Sequence, residues 1–365
     1  MRTAIVSDLH LGTRSGRDLL RHADVRAALA RGLEGADRVV LLGDVLELRD
    51  SPIEDALARG IPILEQIGET IRGTEVVLTA GNHDHRLAAE ALRRAGYLNG
   101  GPPLALAELV EPAADTLAGR IAGALGGCSV RLSYPGVRIR DDVWATHGHY
   151  LDAHNTVPSF EAVSAAAAGR RSGRLSARQL TPDDYETALG PVYAWLFERA
   201  QRPGRSAAPA SAGASVRILE RLRDGGRADP LRIALERVLI PGAVGAINLA
   251  GLGQFRPDLS GAELRRAGLR AIGEAVSRLG VEADHIVFGH THRQGPLRGD
   301  APHEWSTPSG ATLHNTGSWV TEPWLVRGDG RASPYWPGNV TIVEDVGPPR
   351  LERVLDTLPD PPPQQ

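Results

Sequence analysis

Short runs of β-branched and other apolar residues recur through the first half of the chain, and each ends in a polar cluster. Residues 3–8, 38–44 and 75–82 read TAIVSD, RVVLLGD and EVVLTAGN. Uninterrupted apolar runs of this length are typical of strands that are buried on both faces. Segments with helical periodicity at 18–33 and 53–72 separate them, so the order of elements predicts an α/β sheet with helices on its faces.

Two later strands end in the same manner. Residues 142–146 are followed by His147-Gly148-His149, and residues 285–289 by His290-Thr291-His292. In open α/β sheets ligands bind beyond the carboxyl ends of the strands, where several loops converge. We therefore expect five strand ends to contribute side chains to one shared site.

Other segments predict additional strands of mixed direction. Residues 312–318 and 340–344 have strand-like patterns, and residues 130–133 and 137–140 flank Tyr134-Pro135-Gly136 as the arms of a hairpin would. The second half of the sheet is thus expected to be partly antiparallel.

The domain organisation follows from changes in composition. Residues 1–346 are expected to form one domain, in which the alanine-rich and arginine-rich segment 150–279 is a mainly helical cap insertion. Residues 347–365 are rich in proline and are predicted to be a disordered tail.

Charge and cysteine content limit the functional classes. A formal net charge of −3 provides no strong field for capturing nucleic acid, which argues against it as a partner. The single cysteine, Cys128, cannot form an internal disulfide, and this fits a reducing compartment. No signal peptide is recognisable at the start, so the cytoplasm is the expected location.

The longest uncharged stretch is 238–255. Pro241, Asn248 and several glycines make it a poor membrane-spanning helix. It is interpreted as a loop or a short buried helix, as a surface for peripheral membrane contact, or as the interface of a homodimer.

The polar clusters have the composition of a metal site. In an extended segment Asp8 and His10 point to the same face, so a carboxylate and an imidazole can reach one ion. Asp44 has two oxygens and could bridge two cations, and Asn82 adds a neutral amide oxygen. The imidazoles of the remaining candidate ligands extend the choice to manganese, iron or zinc; these are His147, His290 and His292. A structural zinc site is a poorer interpretation, because such sites favour thiolates and the chain has one cysteine.

In chain order the clusters read Asp-x-His, Gly-Asp, Gly-Asn-His-Asp, His and Gly-His-x-His, between Asp8 and His292. This pattern resembles the calcineurin-like metallophosphoesterases. The resemblance implies an α/β (α+β) fold, a four-layer αββα sandwich of two mixed sheets flanked by helices. It implies two divalent ions, manganese being the expected metal and iron or zinc the alternatives. It assigns one ion to Asp8, His10, Asp44 and His292, and the other to Asp44, Asn82, His147 and His290.

Two cations about 3.5–4 Å apart activate a bridging water and orient it for in-line attack on phosphorus. The resemblance gives the role of general acid to His83, with Glu47 or Asp84 as the acidic partner of its ring. His149 is expected behind the metal ligand His147. Two arginines follow site motifs and could bind a substrate phosphate; these are Arg14 and Arg49. Arg49 is displaced by one residue from the arginine of the protein phosphatases of this superfamily.

Two short motifs resemble those of one group of enzymes within this superfamily. Residues 7–12, SDLHLG, and 315–319, NTGSW, are similar to those of bacterial UDP-2,3-diacylglucosamine hydrolases, but His83 stands where those enzymes typically have arginine. The expected function is hydrolysis of a phosphodiester or pyrophosphate bond in a small or lipid-linked substrate. The alternatives are a phosphomonoesterase and a nuclease of the same superfamily. A non-catalytic scaffold is disfavoured, since the full ligand set and His83 are retained.

Overall fold

The computed structural model describes residues 1–96, 101–202, 239–251, 255–258, 260–321, 326 and 330–358. The strands are β1 (Thr3–Val6), β2 (Arg38–Leu42), β3 (Glu75–Thr79), β4 (Leu109–Val110), β5 (Ser129–Ser133), β6 (Gly136–Arg140), β7 (Val143–Thr146), β8 (His285–Phe288), β9 (Gln294–Gly295), β10 (Thr312–Thr316), β11 (Asn339–Val343) and β12 (Arg350–Arg353). The α-helices in these residues are α1 (Ala23–Leu33), α2 (Ile53–Thr70), α3 (Ala89–Arg94), α4 (Leu117–Ala124), α5 (Phe160–Ser172), α6 (Pro182–Ala200), α7 (Ile240–Leu249) and α8 (Gly261–Arg278).

The strands form two mixed sheets. The first has the order β12-β11-β1-β2-β3-β5-β4, with β1, β2, β3 and β5 parallel to one another. The second has the order β6-β7-β8-β10-β9, with β7, β8 and β10 parallel. Antiparallel strands lie at the edges of both sheets. The predicted sandwich of two mixed sheets with helices is confirmed.

The two-residue period of the strands creates two cores. Ile5, Val40 and Val77 of the first sheet pack with Val143 and Val287 of the second, and all five are fully buried. Their neighbours along the same strands face the opposite side, where they join the larger core under the helices. Each such side chain contributes roughly 1.5–3 kcal/mol when it is fully buried.

The predicted hairpin around residues 134–136 is wrong. β5 pairs in parallel with β3 in the first sheet, whereas β6 pairs antiparallel with β7 in the second. The backbone groups of each arm are therefore satisfied by different partners, and the turn carries the chain from one sheet to the other. The buried ring of Tyr134 lies at this crossing.

The prediction of a disordered tail from residue 347 also needs correction. β12 pairs with β11 over four residue pairs, and Leu355 is fully buried in the core that includes α1. Backbone pairing and this apolar anchor hold the segment to the first sheet despite the nearby prolines. Residues 359–365 lie outside the described residues.

The uncharged stretch contains helix α7. Val244 is buried against α5, while Leu239 and Leu249 are 55% and 91% exposed. Val238 and residues 252–254 lie outside the described residues. Within the described chain no helix is both long and apolar enough to cross a bilayer. Contact of this segment with lipid or with a second copy stays a prediction, as does the boundary of the cap insertion.

Candidate metal centre

The carboxyl ends of β1, β2, β3, β7 and β8 meet at one edge of the sandwich. The polar residues that follow these strands are brought together there, as the strand-end argument predicted. Three sets offer ligand atoms that all lie within 4.8 Å of one another. These sets are Asp8, His10 and His292; His10, Asp44 and His83; and Asp8, Asp44 and His147.

The backbone at these strand ends is strained. Five non-glycine residues of the described chain have positive φ, between 45° and 65°, and all five are predicted ligands: Asp8, His10, Asp44, His290 and His292. A left-handed conformation at a non-glycine residue costs on the order of 1–3 kcal/mol and persists where surrounding structure enforces it. The strain turns each side chain inward from its strand, and this points to a functional site.

Glycine at position 43 is required by close packing. It has a φ of 82°, and a Cβ there would lie 2.6 Å from the ring of His147. The neighbouring Asp44 can therefore turn toward His147 without a clash.

Asp8, His10 and His292 form one side of the centre. Asp8 Oδ1 lies 3.3 Å from His292 Nε2 and 3.9 Å from His10 Nε2, and the two ring nitrogens are 3.2 Å apart. The second oxygen of Asp8 accepts from Ser7 and from the backbone N–H of His290, but buried Oδ1 has no hydrogen-bond partner in the described chain. An unsatisfied buried carboxylate oxygen is costly unless a cation compensates it.

Asp44 lies between the two sides. Its Oδ2 is 3.6 Å from His10 Nε2 and 3.4 Å from His147 Nε2. On the far side, Asn82 Oδ1 lies 3.1 Å from both His147 Nε2 and His290 Nδ1. Asp44 thus occupies the position that a bridging ligand requires.

The outer nitrogens of two histidines are engaged away from the centre. His147 Nδ1 lies 3.0 Å from the carbonyl oxygen of Leu42, to which it can only donate. His10 Nδ1 lies 3.2 Å from Glu47 Oε2. A proton on each Nδ1 leaves the lone pair of Nε2 pointing into the centre, which is the tautomer that a metal ligand needs.

His290 is oriented by a residue that the sequence did not reveal. Its Nε2 lies 3.2 Å from Asp152 Oδ1, so Nδ1 presents its lone pair beside Asn82. Asp152 is buried in the 3-10 helix His149–Ala153, which begins two residues after His147. No spacing rule distinguishes it from other acids in the chain, although proximity to His147 is a weak signal.

The surroundings of the Asn82 amide indicate whether a cation fits at the centre. With Oδ1 inward, the oxygen faces acceptor atoms of His147, His290 and Asp44; with the amide reversed, nitrogen would face them and oxygen would accept from Arg49. A cation among these acceptors favours the inward oxygen, since it replaces repulsion between lone pairs by coordination. Carboxylate, amide and imidazole donors together suit manganese, iron or zinc.

The pKa values of the metal-free protein also indicate that this centre is suited to cations. Burial opposes charge on His10, but Glu47 and Asp44 raise its pKa to about 9. Burial likewise opposes charge on His147, whose pKa Asp44 and Asp8 raise to about 9. Burial would raise the pKa of Asp8, yet the charges of His147 and His292 lower it to about 2. Protons on imidazoles thus neutralise carboxylates where cations would otherwise do so.

His83 is paired with Glu47. Its Nδ1 lies 2.8 Å from Glu47 Oε2, and its side chain is 24% exposed. Burial lowers the pKa of His83, although Glu47 and Asp44 act in the opposite direction. The pKa of His83 therefore lies below its usual value in the metal-free protein, with burial as the largest cause.

Asp84 has a different set of partners. Its carboxylate accepts from the backbone N–H groups of Gly81, Asp44, Val45 and Leu46 at 2.7–3.2 Å. Burial raises its pKa to about 6, and the charge of Asp44 adds to this. Asp84 ties the loop after β3 to the loop after β2, whereas Glu47 contacts His83.

The predicted phosphate-binding arginines are placed differently from each other. Arg14 is half-exposed and lies 3.9 Å from Asp55, on the surface. Arg49 is buried, 3.0 Å from Glu161 Oε1, and its guanidinium lies 5.4 Å from the ring centroid of Tyr193. Its guanidinium nitrogens lie 3.0 and 3.3 Å from the Asn82 amide, so of these two arginines only Arg49 borders the centre.

His149 is fully buried behind His147. Its ring is 5.6 Å from the His147 ring, and its Nε2 lies 2.9 Å from the hydroxyl of Tyr134. Burial and the charge of His147 lower its pKa well below the usual value. Its position matches the expectation of a residue behind a ligand.

Of the comparisons with known proteins, the family model is the one that identifies a family. No curated protein matches the sequence significantly. Among solved structures the chain is similar to a cold-active protein-tyrosine phosphatase of a psychrophilic Shewanella species, with 14% identity, coverage of 94% of this chain and 75% of that one, and a TM-score of 0.30. The narrower resemblance to UDP-2,3-diacylglucosamine hydrolases is not confirmed. The family model described as calcineurin-like phosphoesterase matches residues 1–189, which is more than half of the chain. The chain belongs to the calcineurin-like phosphoesterase family.

Proposed function

We propose that the chain is a dinuclear metal-dependent phosphoesterase that cleaves a phosphodiester or pyrophosphate bond of a small or lipid-linked substrate in the cytoplasm. The observation that carries this proposal is the group of inward-facing acceptors around Asp44. Asp44 Oδ2, His147 Nε2 and Asn82 Oδ1 lie 3.1–3.4 Å from one another. Such a group is stable when cations lie among its members.

Two ligand sets share Asp44. Asp8, His10, Asp44 and His292 would hold one ion; Asp44, Asn82, His147 and His290 would hold the other. When bound, two divalent cations neutralise phosphate oxygens and activate a water for in-line attack on phosphorus. We propose manganese as the metal, on the mixture of hard oxygen and imidazole donors.

His83 is the proposed proton donor to the leaving group, and Glu47 orients it. Glu47 holds His83 through Nδ1, which leaves Nε2 for the oxygen that departs from phosphorus. The same carboxylate contacts His10 at 3.2 Å, so one acid orients both the proposed proton donor and a proposed ligand. Asp84 fixes the two loops that carry Asp44 and Asn82.

The test is a substrate profile of the protein after removal of metal and reloading with manganese. We expect turnover of bis-p-nitrophenyl phosphate that disappears with chelator, returns with manganese, and exceeds turnover of p-nitrophenyl phosphate. Nucleotide sugars and DNA complete the panel. Asp44→Asn is the inactive control, and Asp55→Asn, on the surface beside Arg14, is the matched active one.

The alternatives give distinct results in the same panel. A preference for the monoester would make the chain a phosphomonoesterase, and turnover of DNA above all other substrates would make it a nuclease. Absence of metal-dependent turnover on every substrate would contradict the proposal.

A further inference from the structure

A cavity of about 430 Å³ lies beside the candidate centre, between helix α6 and the segment His85–Arg94. Asn82 and His83 belong to its lining, so the cavity is continuous with the centre. Its volume falls within the range of about 300–1,000 Å³ that is usual for small-molecule sites.

The walls of the cavity are mainly apolar. The apolar side chains come from both elements: Ala89, Leu92, Pro191, Ala194 and Phe197. Two exposed cations, Arg86 and Arg93, also line it. Neither forms an ion pair with a carboxylate in the part of the chain that the structure describes, and the Arg86 guanidinium lies 5.2 Å from the Phe197 ring centroid.

A buried acid fixes the spacing of the two walls. Glu186 of α6 is 1% exposed, and its Oε2 lies 2.9 Å from His85 Nε2 on the opposite element. Its other oxygen accepts from the hydroxyls of Tyr134 and Tyr150, at 2.5 and 2.7 Å. This network joins α6 to the core, so the cavity is preformed rather than a gap between loose segments.

The position of His83 indicates what enters the cavity. A general acid must lie within hydrogen-bond reach of the oxygen that it protonates, so the group attached to that oxygen must occupy space beside the acid. The cavity is space of this kind, since His83 lines it. Its apolar walls favour an apolar group, and Arg86 and Arg93, which pair with no carboxylate of the described residues, favour an anionic substituent on that group.

We propose that this cavity is the leaving-group pocket, and that it binds a leaving group with an apolar body and an anionic end. The inference rests on the proposed function in one respect, the role of His83. The pocket itself is formed by α6 and the segment His85–Arg94 and contains one predicted metal ligand, Asn82. Binding of a probe can therefore be measured separately from hydrolysis.

Two fluorescent probes with nearly the same aromatic body separate the two parts of the proposal. 1-Anilinonaphthalene-8-sulfonate carries an anion, and N-phenyl-1-naphthylamine lacks it. We expect the full-length protein, with or without manganese, to bind the sulfonate roughly tenfold more tightly than the neutral probe, as one charge-assisted contact predicts. The sulfonate should also compete with bis-p-nitrophenyl phosphate in the manganese-loaded protein.

Variants locate the binding. Ala194→Trp and Ala89→Trp fill the cavity from opposite walls, both at exposed positions, and should each weaken both probes roughly tenfold or more. The double variant Arg86→Gln, Arg93→Gln should abolish the preference for the sulfonate and leave the neutral probe unchanged. Arg94→Gln is the matched control, because Arg94 lies on the same helix, pairs with Glu90 and does not line the cavity.

The outcomes distinguish this proposal from the proposed function. If hydrolysis proceeds but neither tryptophan variant weakens the probes, or if Leu249→Ser on exposed helix α7 removes binding instead, the leaving-group pocket is refuted alone. Sulfonate binding that does not compete with substrate also refutes it. If no hydrolysis occurs while the variant pattern holds, the proposed function fails and the ligand class of the pocket stands.

Discussion

Replacement of Asp152 should weaken metal binding although Asp152 is not among the proposed ligands. Its Oδ1 accepts from His290 Nε2 at 3.2 Å, and this contact determines which nitrogen of His290 carries the lone pair. Carboxylates that orient a metal-bound histidine typically contribute about ten- to a hundredfold to affinity, or about 1.4–2.7 kcal/mol. Asp152→Ala should lose this amount at one ion. Asp152→Asn should lose less, because an amide oxygen still accepts the hydrogen bond.

Isothermal titration calorimetry of metal-stripped protein with Mn²⁺ measures the affinity of each binding step. Two binding steps are expected in the wild type, and the step assigned to Asn82, His147 and His290 should weaken while the other is retained. Asp55→Ala provides the control, since Asp55 is half-exposed and pairs with Arg14 away from the ligands. Equal affinities of Asp152→Ala and the wild type at both steps would refute the reasoning.

Three further changes have defined outcomes. Asp44→Asn should abolish turnover in a protein with a native circular dichroism spectrum, and near-normal turnover would rule out bridging. His83→Ala should slow alkyl phosphate esters about 10²–10⁴-fold and p-nitrophenyl esters much less; equal losses would count against a general acid. In the presence of a chelator, His10 and His147 stabilise the folded protein because folding raises their pKa values to about 9. This contribution to stability is fully present below pH 6.5 and is lost as the pH rises through 9. The unfolding temperature of the metal-free protein should therefore decrease as the pH is raised from 6.5 to 9. An increase over this range would contradict these pKa shifts.

Much of the site could be predicted because each proposed ligand follows a strand that the sequence marks clearly. Buried apolar runs identify the central parallel strands, and the carboxyl ends of such strands meet at one edge. Asp8, Asp44 and Asn82 are therefore brought together by topology, not by any local interaction. His147 reaches the same edge from the second sheet.

The remaining features depend on long-range packing. The two arms expected to form a hairpin around residues 134–136 have equally good partners elsewhere, and local pattern cannot tell which pairing is more stable. The strand β12 follows prolines and is held by β11 and by Leu355, contacts that no local pattern reveals. Asp152 reaches His290 across 138 residues of sequence, and Glu186 of α6 reaches His85 across 101.

Anomalous scattering from crystals of manganese-loaded protein tests the central claim most directly. Two peaks per chain are expected, about 3.5–4 Å apart, with Asp44 contacting both ions and three further proposed ligands on each. A single peak, or none between the ends of β1, β2, β3, β7 and β8 under saturating manganese, would contradict the dinuclear centre.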